Sequence, residues 1–117
     1  MSPIGPAVPP EVKGTQFLER LKEKVQKENL WFFILLLLST ESRYGYELRR
    51  LVNTQFGFWS GNVTAYRVLY SLESAGMVRS EMKERRKYYL ITTDGRNELA
   101  AARAFLEGLV RTSDPSL

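Results

Sequence analysis

The sequence predicts a mainly helical protein carrying one small β-hairpin. Three observations lead there. Apolar residues recur at three- and four-residue spacing in four stretches separated by turn formers, which is the signature of amphipathic helices. Two β-rich stretches, residues 77–82 and 87–92, flank a charged tip. No proline interrupts residues 11–114, since four of the five prolines lie in the first ten positions and the fifth is Pro115.

Residues 1–14, with those four prolines and two glycines, cannot form a continuous helix and are expected to be a flexible arm. From Thr15 onward Phe17, Leu21 and Val25 recur every four residues beside Leu18, while Lys22, Glu23 and Lys27 supply the wet face of a first helix. Leu30 to Leu38 (LWFFILLLL) is apolar on every side and reads as a central core helix; the pattern leaves open whether Asn29 caps it separately or the helix runs through. Ser39, Thr40, Glu41 and Ser42 form a turn, after which Tyr46, Leu48, Leu51 and Val52 mark a helix ending near Gln55, with Tyr46 expected in the core.

Gly57 and Gly61 bracket a loop, and a helix follows over Asn62 to Ala75. On a wheel at 100° per residue, Ala65, Val68, Leu69, Leu72 and Ala75 collect on the buried side. Val63, Thr64, Arg67, Tyr70, Ser71 and Ser74 lie opposite, a mixture that gains little from facing water and so suggests a partner. Gly76 is placed to stop this helix in the left-handed conformation. The tip of the hairpin, Arg79 to Lys87 (RSEMKERRK), holds five cations against Glu81 and Glu84. Thr93 and Asp94 can open a last helix whose stripe is Leu99, Ala102, Phe105, Leu106, Leu109 and Val110, and residues 113–117 are a fraying tail.

Composition narrows the function. The 117 residues, 44% hydrophobic and 26% charged, match one ordinary globular domain rather than a disordered chain. The absence of Cys and His removes thiolate and imidazole chemistry and the common transition-metal ligands, so no cofactor, no metal and no enzymatic activity are expected. Nine apolar residues are too few to cross a bilayer, and the Pro-rich start is no signal peptide, which places the protein in the cytoplasm, away from membranes. A net charge of +4 favours a polyanionic partner.

The element order is that of a winged helix-turn-helix, in which the third helix enters the major groove of double-stranded DNA and the hairpin lies along the backbone. In that layout Arg67 can fork onto guanine, Asn62 and Thr64 can bond base edges or phosphates, Val63 can meet a thymine methyl, and Ser71 lies on the same face. Lys83, Arg85, Arg86 and Lys87 would attract phosphates without regard to sequence. Arg43, Tyr44 and Tyr66 complete the candidate DNA contacts, the tyrosines through hydroxyls aimed at the backbone. Trp31 and Trp59 are read as core or loop packing, and Glu73 as the acceptor of a local hydrogen bond.

Three motifs resemble one family. Tyr44-Gly45-Tyr46-Glu47-Leu48 is similar to the GYE opening of the second helix in PadR-type transcriptional regulators. YRVLYSLESAGMV, from Tyr66 to Val78, resembles that family's YxxLxxLExxGLV, and KYYLITTDG, from Lys87 to Gly95, its RxYYxLTxxG. The likeness spans roughly residues 30–99, with a short wing and a single C-terminal helix as in the shorter subgroup of the family.

The resemblance implies a homodimeric DNA-binding regulator, usually a repressor, and dimer symmetry implies a palindromic operator. It divides the chain into a winged helix-turn-helix domain with its N-terminal helix, 15–92, and a C-terminal dimerisation helix, 93–112. Phe17, Leu21, Val25, Leu99, Phe105, Leu106, Leu109 and Val110 are the candidate dimer contacts. Some members answer to a hydrophobic or aromatic small-molecule effector, for which Trp31 and Phe105 are the candidate pocket residues. The rival reading keeps the winged helix as a protein-interaction or small-molecule-sensing module, with DNA binding secondary.

Overall fold

The computed structural model describes residues 16–112; the arm expected over 1–14 and the tail over 113–117 lie outside it. Within these residues the chain forms α1 (Gln16–Glu28), α2 (Leu30–Leu38), β1 (Arg43–Tyr44), α3 (Gly45–Phe56), α4 (Asn62–Ser74), β2 (Val78–Lys83), β3 (Arg86–Ile91) and α5 (Thr93–Thr112). The mainly helical class is borne out. The sheet, however, has three antiparallel strands in the order β1-β3-β2, because the two-residue β1 adds to the open edge of the hairpin, Arg43 facing Tyr89 and Tyr44 facing Tyr88.

The all-apolar α2 is the centre. Leu30, Ile34, Leu35, Leu37 and Leu38 are buried among Leu48 and Val52 of α3, Ala65, Leu69 and Leu72 of α4, Val78 and Tyr89 of the sheet, and Leu99 of α5. Asn29 settles the question of continuity: its backbone (φ −132°, ψ 35°) leaves the helical region, so α1 and α2 are separate helices. The last carbonyls of α2 do not go unpaired, since Leu36 O accepts from Ser39 Oγ at 2.6 Å and Leu37 O from Thr40 Oγ1 at 3.1 Å. Among the described residues no helix is long and apolar enough to cross a membrane.

Gly76 (φ 80°) ends α4 as its sequence position suggests. Its N–H reaches Glu73 O, and the N–H of Met77 reaches Leu72 O, the paired bonds of a Schellman motif. Ala75, placed on the buried side by the wheel, is exposed because it already lies in this cap. The N-cap of α5 is Thr92, one residue before the expected start: its Oγ1 accepts from Gly95 N at 3.0 Å and donates to the Gly76 carbonyl at 2.6 Å. One threonine thus joins the stop of α4 to the start of α5.

Two sequence expectations are corrected by burial. Leu99, assigned to the dimer stripe, is a core residue, because the first turns of α5 pack on α2 and β3 and only the later turns leave the domain. Tyr46, assigned to the core, is 58% exposed. The inner face of α3 is carried by Gly45, Leu48 and Val52 at three- and four-residue steps, which turns residue 46 outward.

Candidate nucleic-acid interface

The outward face of α4 is built from its first three turns. Asn62, Val63, Thr64, Arg67, Tyr70 and Ser71 are all exposed, Val63 at 70% and Tyr70 at 72%, while Ala65, Leu69 and Leu72 hold the opposite face in the core. No acidic residue lies in the first turn of α4, and the N-cap, Gly61, has no side chain to satisfy the first amides. A helix start of that kind favours an anion.

The helix is seated by its neighbours. A Cβ at Gly45 would lie 2.5 Å from Tyr66 Cε1, so the tyrosine ring can rest on the start of α3 only because residue 45 has no side chain. Tyr66 is thereby half-buried, with 43% of its surface exposed. Arg49 secures the loop before α4: its Nη2 and Nε donate to Ser60 O at 3.1 and 3.4 Å, and its guanidinium lies 5.8 Å from the centre of the Trp59 ring. Trp59 is accordingly exposed in that loop, and Trp31 is partly buried on α2.

The wing stands beside this face. Glu84 (φ 50°) and Arg85 (φ 70°) make its turn in the left-handed region, a conformation that usually selects Asn or Gly. On one face of the sheet Arg86 lies over the Tyr44 ring, 4.5 Å from its centroid, Lys83 Nζ lies 5.3 Å from that of Tyr88, and the two tyrosines meet edge to face at 5.5 Å. On the other face Lys87 Nζ is 3.6 Å from Glu73 of α4. Tyr89, buried beneath it, has its hydroxyl pKa pushed up by burial, with Lys87 lowering it and Glu73 and Tyr66 raising it.

Tyr44, Tyr46, Tyr66, Tyr89, Arg86 and Lys87 line a groove of about 410 Å³ running between wing and helices. Arg43 does not join them. Its side chain, only 13% exposed, bonds Leu37 O and Thr40 and pairs with Glu41 at 3.1 Å and Glu47 at 3.5 Å. That guanidinium ties α2 to α3, and Arg43 is removed from the candidate DNA contacts.

The family model for the transcriptional regulator PadR-like family matches residues 34–101, more than half of the chain and the whole of this helix-and-wing unit. The chain belongs to the PadR-like family. Among solved structures it is similar to a PadR family transcription regulator from Clostridium difficile (24% identity, TM-score 0.66, covering 71% of this chain and 92% of that one). It is similar also to a transcriptional regulator from Clostridium thermocellum (24%, 0.67, 80% and 90%) and to F93 from STIV, a winged-helix DNA-binding protein (19%, 0.64, 72% and 92%). No curated protein matches the sequence. At these identities the neighbours establish the winged-helix fold, and the family establishes a transcription regulator.

Two further features of this PadR-like chain lie away from the groove. Phe17, Leu21 and Val25 of α1 and Phe105, Leu106, Leu109 and Val110 of α5 are exposed apolar residues. Trp31 and Phe105, the candidate effector residues, do come together: with Val25, Phe32 and Leu106 they line a cleft of about 300 Å³ between α2 and α5. Residue-type reasoning missed Tyr46 as a groove residue, although its place after Gly45 in the inner-face count carried that information.

Proposed function

We propose that this PadR-like regulator works as a homodimeric repressor, binding palindromic double-stranded DNA with α4 in the major groove and the wing on the adjoining backbone. The observation that carries the reading is the outward face of α4, where Asn62, Val63, Thr64, Arg67 and Ser71 stand exposed together on a helix whose start is uncapped and free of acidic groups. Arg67 is the base-reading fork, and Asn62, Thr64 and Ser71 bond base edges or phosphates while Val63 meets a thymine methyl. Lys83, Arg85 and Arg86 supply phosphate contacts from the wing, and Tyr44, Tyr46 and Tyr66 line the groove beside them.

Dimerisation explains the exposed stripes. Phe17 and Phe105 are 76% and 65% exposed, an arrangement that a second copy would cover in an interface of about 1,600 Å² or more. The cleft at Trp31 and Phe105 opens beside that surface and suits a small flat hydrophobic effector, since ligand pockets begin at about 300 Å³.

Selection of bound duplexes from a random pool, followed by gel shift, tests the reading. A palindromic consensus bound by a dimer is expected. Absence of any shift at low salt, with the protein folded, would overturn it.

A further inference from the structure

Recognition helix and wing are joined by one acidic side chain. Glu73 lies in the last turn of α4, where its Oε2 accepts the Ser80 hydroxyl at 2.7 Å and its Oε1 lies 3.6 Å from Lys87 Nζ. Ser80 belongs to β2 and Lys87 to β3. Because Ser80 pairs with Tyr89 and Met82 with Lys87, the two partners are diagonal neighbours on the face of the hairpin turned toward α4. A single carboxylate therefore grips both strands from the helix.

We propose that Glu73 is a positioning residue for DNA recognition, clamping the wing at a set angle to α4 and keeping the Lys87 ammonium off the phosphates, so that the wing grips through Lys83, Arg85 and Arg86 alone. The proposal rests on the DNA-binding reading above and assigns roles within it. Val78 and Tyr89 bury the base of the wing, but the next inward residue of β2 beyond Ser80, Met82, is 68% exposed. The distal half of the hairpin thus projects past α4, and Glu73 holds it at the point where it leaves the core.

Electrostatics argues the same way. A hydroxyl-to-carboxylate bond is charge-assisted and about twice as strong as a neutral one, so Ser80 fixes the carboxylate before Lys87 meets it and little further ordering is needed. An isolated exposed ion pair would be weak. Here the negative charge also sits in the crevice between α4 and wing, where it repels a phosphate that would otherwise settle on Lys87. The backbone track is pushed outward to the tip.

The test uses the full chain and measures how affinity for random-sequence duplex falls with salt. Glu73→Gln keeps the shape and an acceptor for Ser80 while deleting the charge, and Lys87 is released. Each additional phosphate neutralised steepens the log–log slope by about 0.9, so the Gln variant should be steeper than wild type by about one unit, with a smaller ratio of specific to random affinity. In a Lys87→Ala background the same change should leave the slope where Lys87→Ala sets it. Ser80→Ala, which alters no charge, should blur the hydroxyl-radical footprint over the wing-contacted flank and spare the footprint under α4.

An unaltered slope in Glu73→Gln would overturn the withholding of Lys87. A steepening that persists without Lys87 would do so too, by showing a bulk charge effect. An unchanged flank footprint in Ser80→Ala would overturn the clamp. A folded wild-type protein that ignores duplex DNA would sink the DNA-binding reading and this one with it, whereas the outcomes just named sink this one alone.

Discussion

The guanidinium of Arg86 lies over the ring of Tyr44, 4.5 Å from its centroid. Tyr44 is held there by the short β1–β3 pairing and by the edge of Tyr88, so the ring is a fixed platform rather than a chance neighbour. A cation over an aromatic face at an exposed site is worth about 0.5–1 kcal/mol. On the proposed reading, that energy holds a phosphate-contacting cation in place on the wing. Tyr44→Leu should therefore weaken DNA binding roughly two- to fivefold on specific and random duplexes alike, measured by fluorescence anisotropy. A loss confined to the specific site would contradict the assignment.

Arg67 and Arg86 should separate in the opposite sense. On the proposed reading, replacing Arg67 by Ala should remove a bidentate base contact, at a cost of about 1–3 kcal/mol, and relax preference at one base pair of each half-site. Arg86→Ala should lower affinity for all sequences and flatten the salt slope by about one unit. Competition titrations across single-base operator variants, repeated at several salt concentrations, distinguish the two. Equal losses on specific and random DNA for both variants would refute the division between base reading and phosphate contact.

Gly95 lies so close to the Met77 carbonyl that a Cβ there would collide with it and press on Ile91. The contact exists because Thr92 caps α5 while bonding the end of α4 through Gly76 O and Met77 O. Gly95→Ala would force helix and strand apart. Such overpacking costs about 1–3 kcal/mol, which lowers the melting midpoint by roughly 4–8 °C per kcal/mol in a domain of this size. Thermal denaturation followed by circular dichroism reads it, and a midpoint within a degree of wild type would show that the junction yields freely.

The chain has no histidine, and Tyr89 has its pKa raised above the ordinary value near 10 by burial, so Tyr89 should make stability depend on pH at the alkaline end. A group whose folded pKa is raised contributes stability that is fully present below its unfolded pKa and is lost as pH rises through the folded one. Stability should be flat from about pH 6 to 9 and fall above about pH 10. Tyr89→Phe should make that alkaline fall shallower. Urea midpoints measured across the range would check it, and a midpoint that moves between pH 6 and 8 would contradict it.

The helices were legible because period and polarity agree over many residues: the four-residue steps of α1, the all-round apolar α2 and the wheel of α4 each repeat their signal several times. What escaped was local or depended on context. β1 has two residues, too few for any alternation, and exists only because β3 offers an edge. Arg43 sits among turn formers and looks like a surface cation, yet its guanidinium finds Leu37 O and Glu47. Leu99 and Leu106 share one stripe seven residues apart, but α5 outruns the domain between them, and sequence spacing does not say where a helix leaves its core. The wing clamp was legible only as a motif, since the Glu73–Ser80 bond depends on how sharply the chain turns at Gly76.

Where α5 leaves the domain, its apolar stripe is uncovered. Phe17 on α1 and Phe105 on α5 are exposed at 76% and 65%, and burying a Phe side chain is worth about 1.5–3 kcal/mol. A dimer covering both, twice each by symmetry, gains enough that a charge at either position should dissociate it at micromolar concentration. Phe17→Glu and Phe105→Glu should each sediment as a folded monomer. On the proposed reading, in which two linked half-sites are bound together, each should also lose affinity for a palindromic duplex at least tenfold while a single half-site is bound as before. A wild-type chain that sediments as a monomer, or variants that remain dimeric, would assign these stripes to something other than self-association.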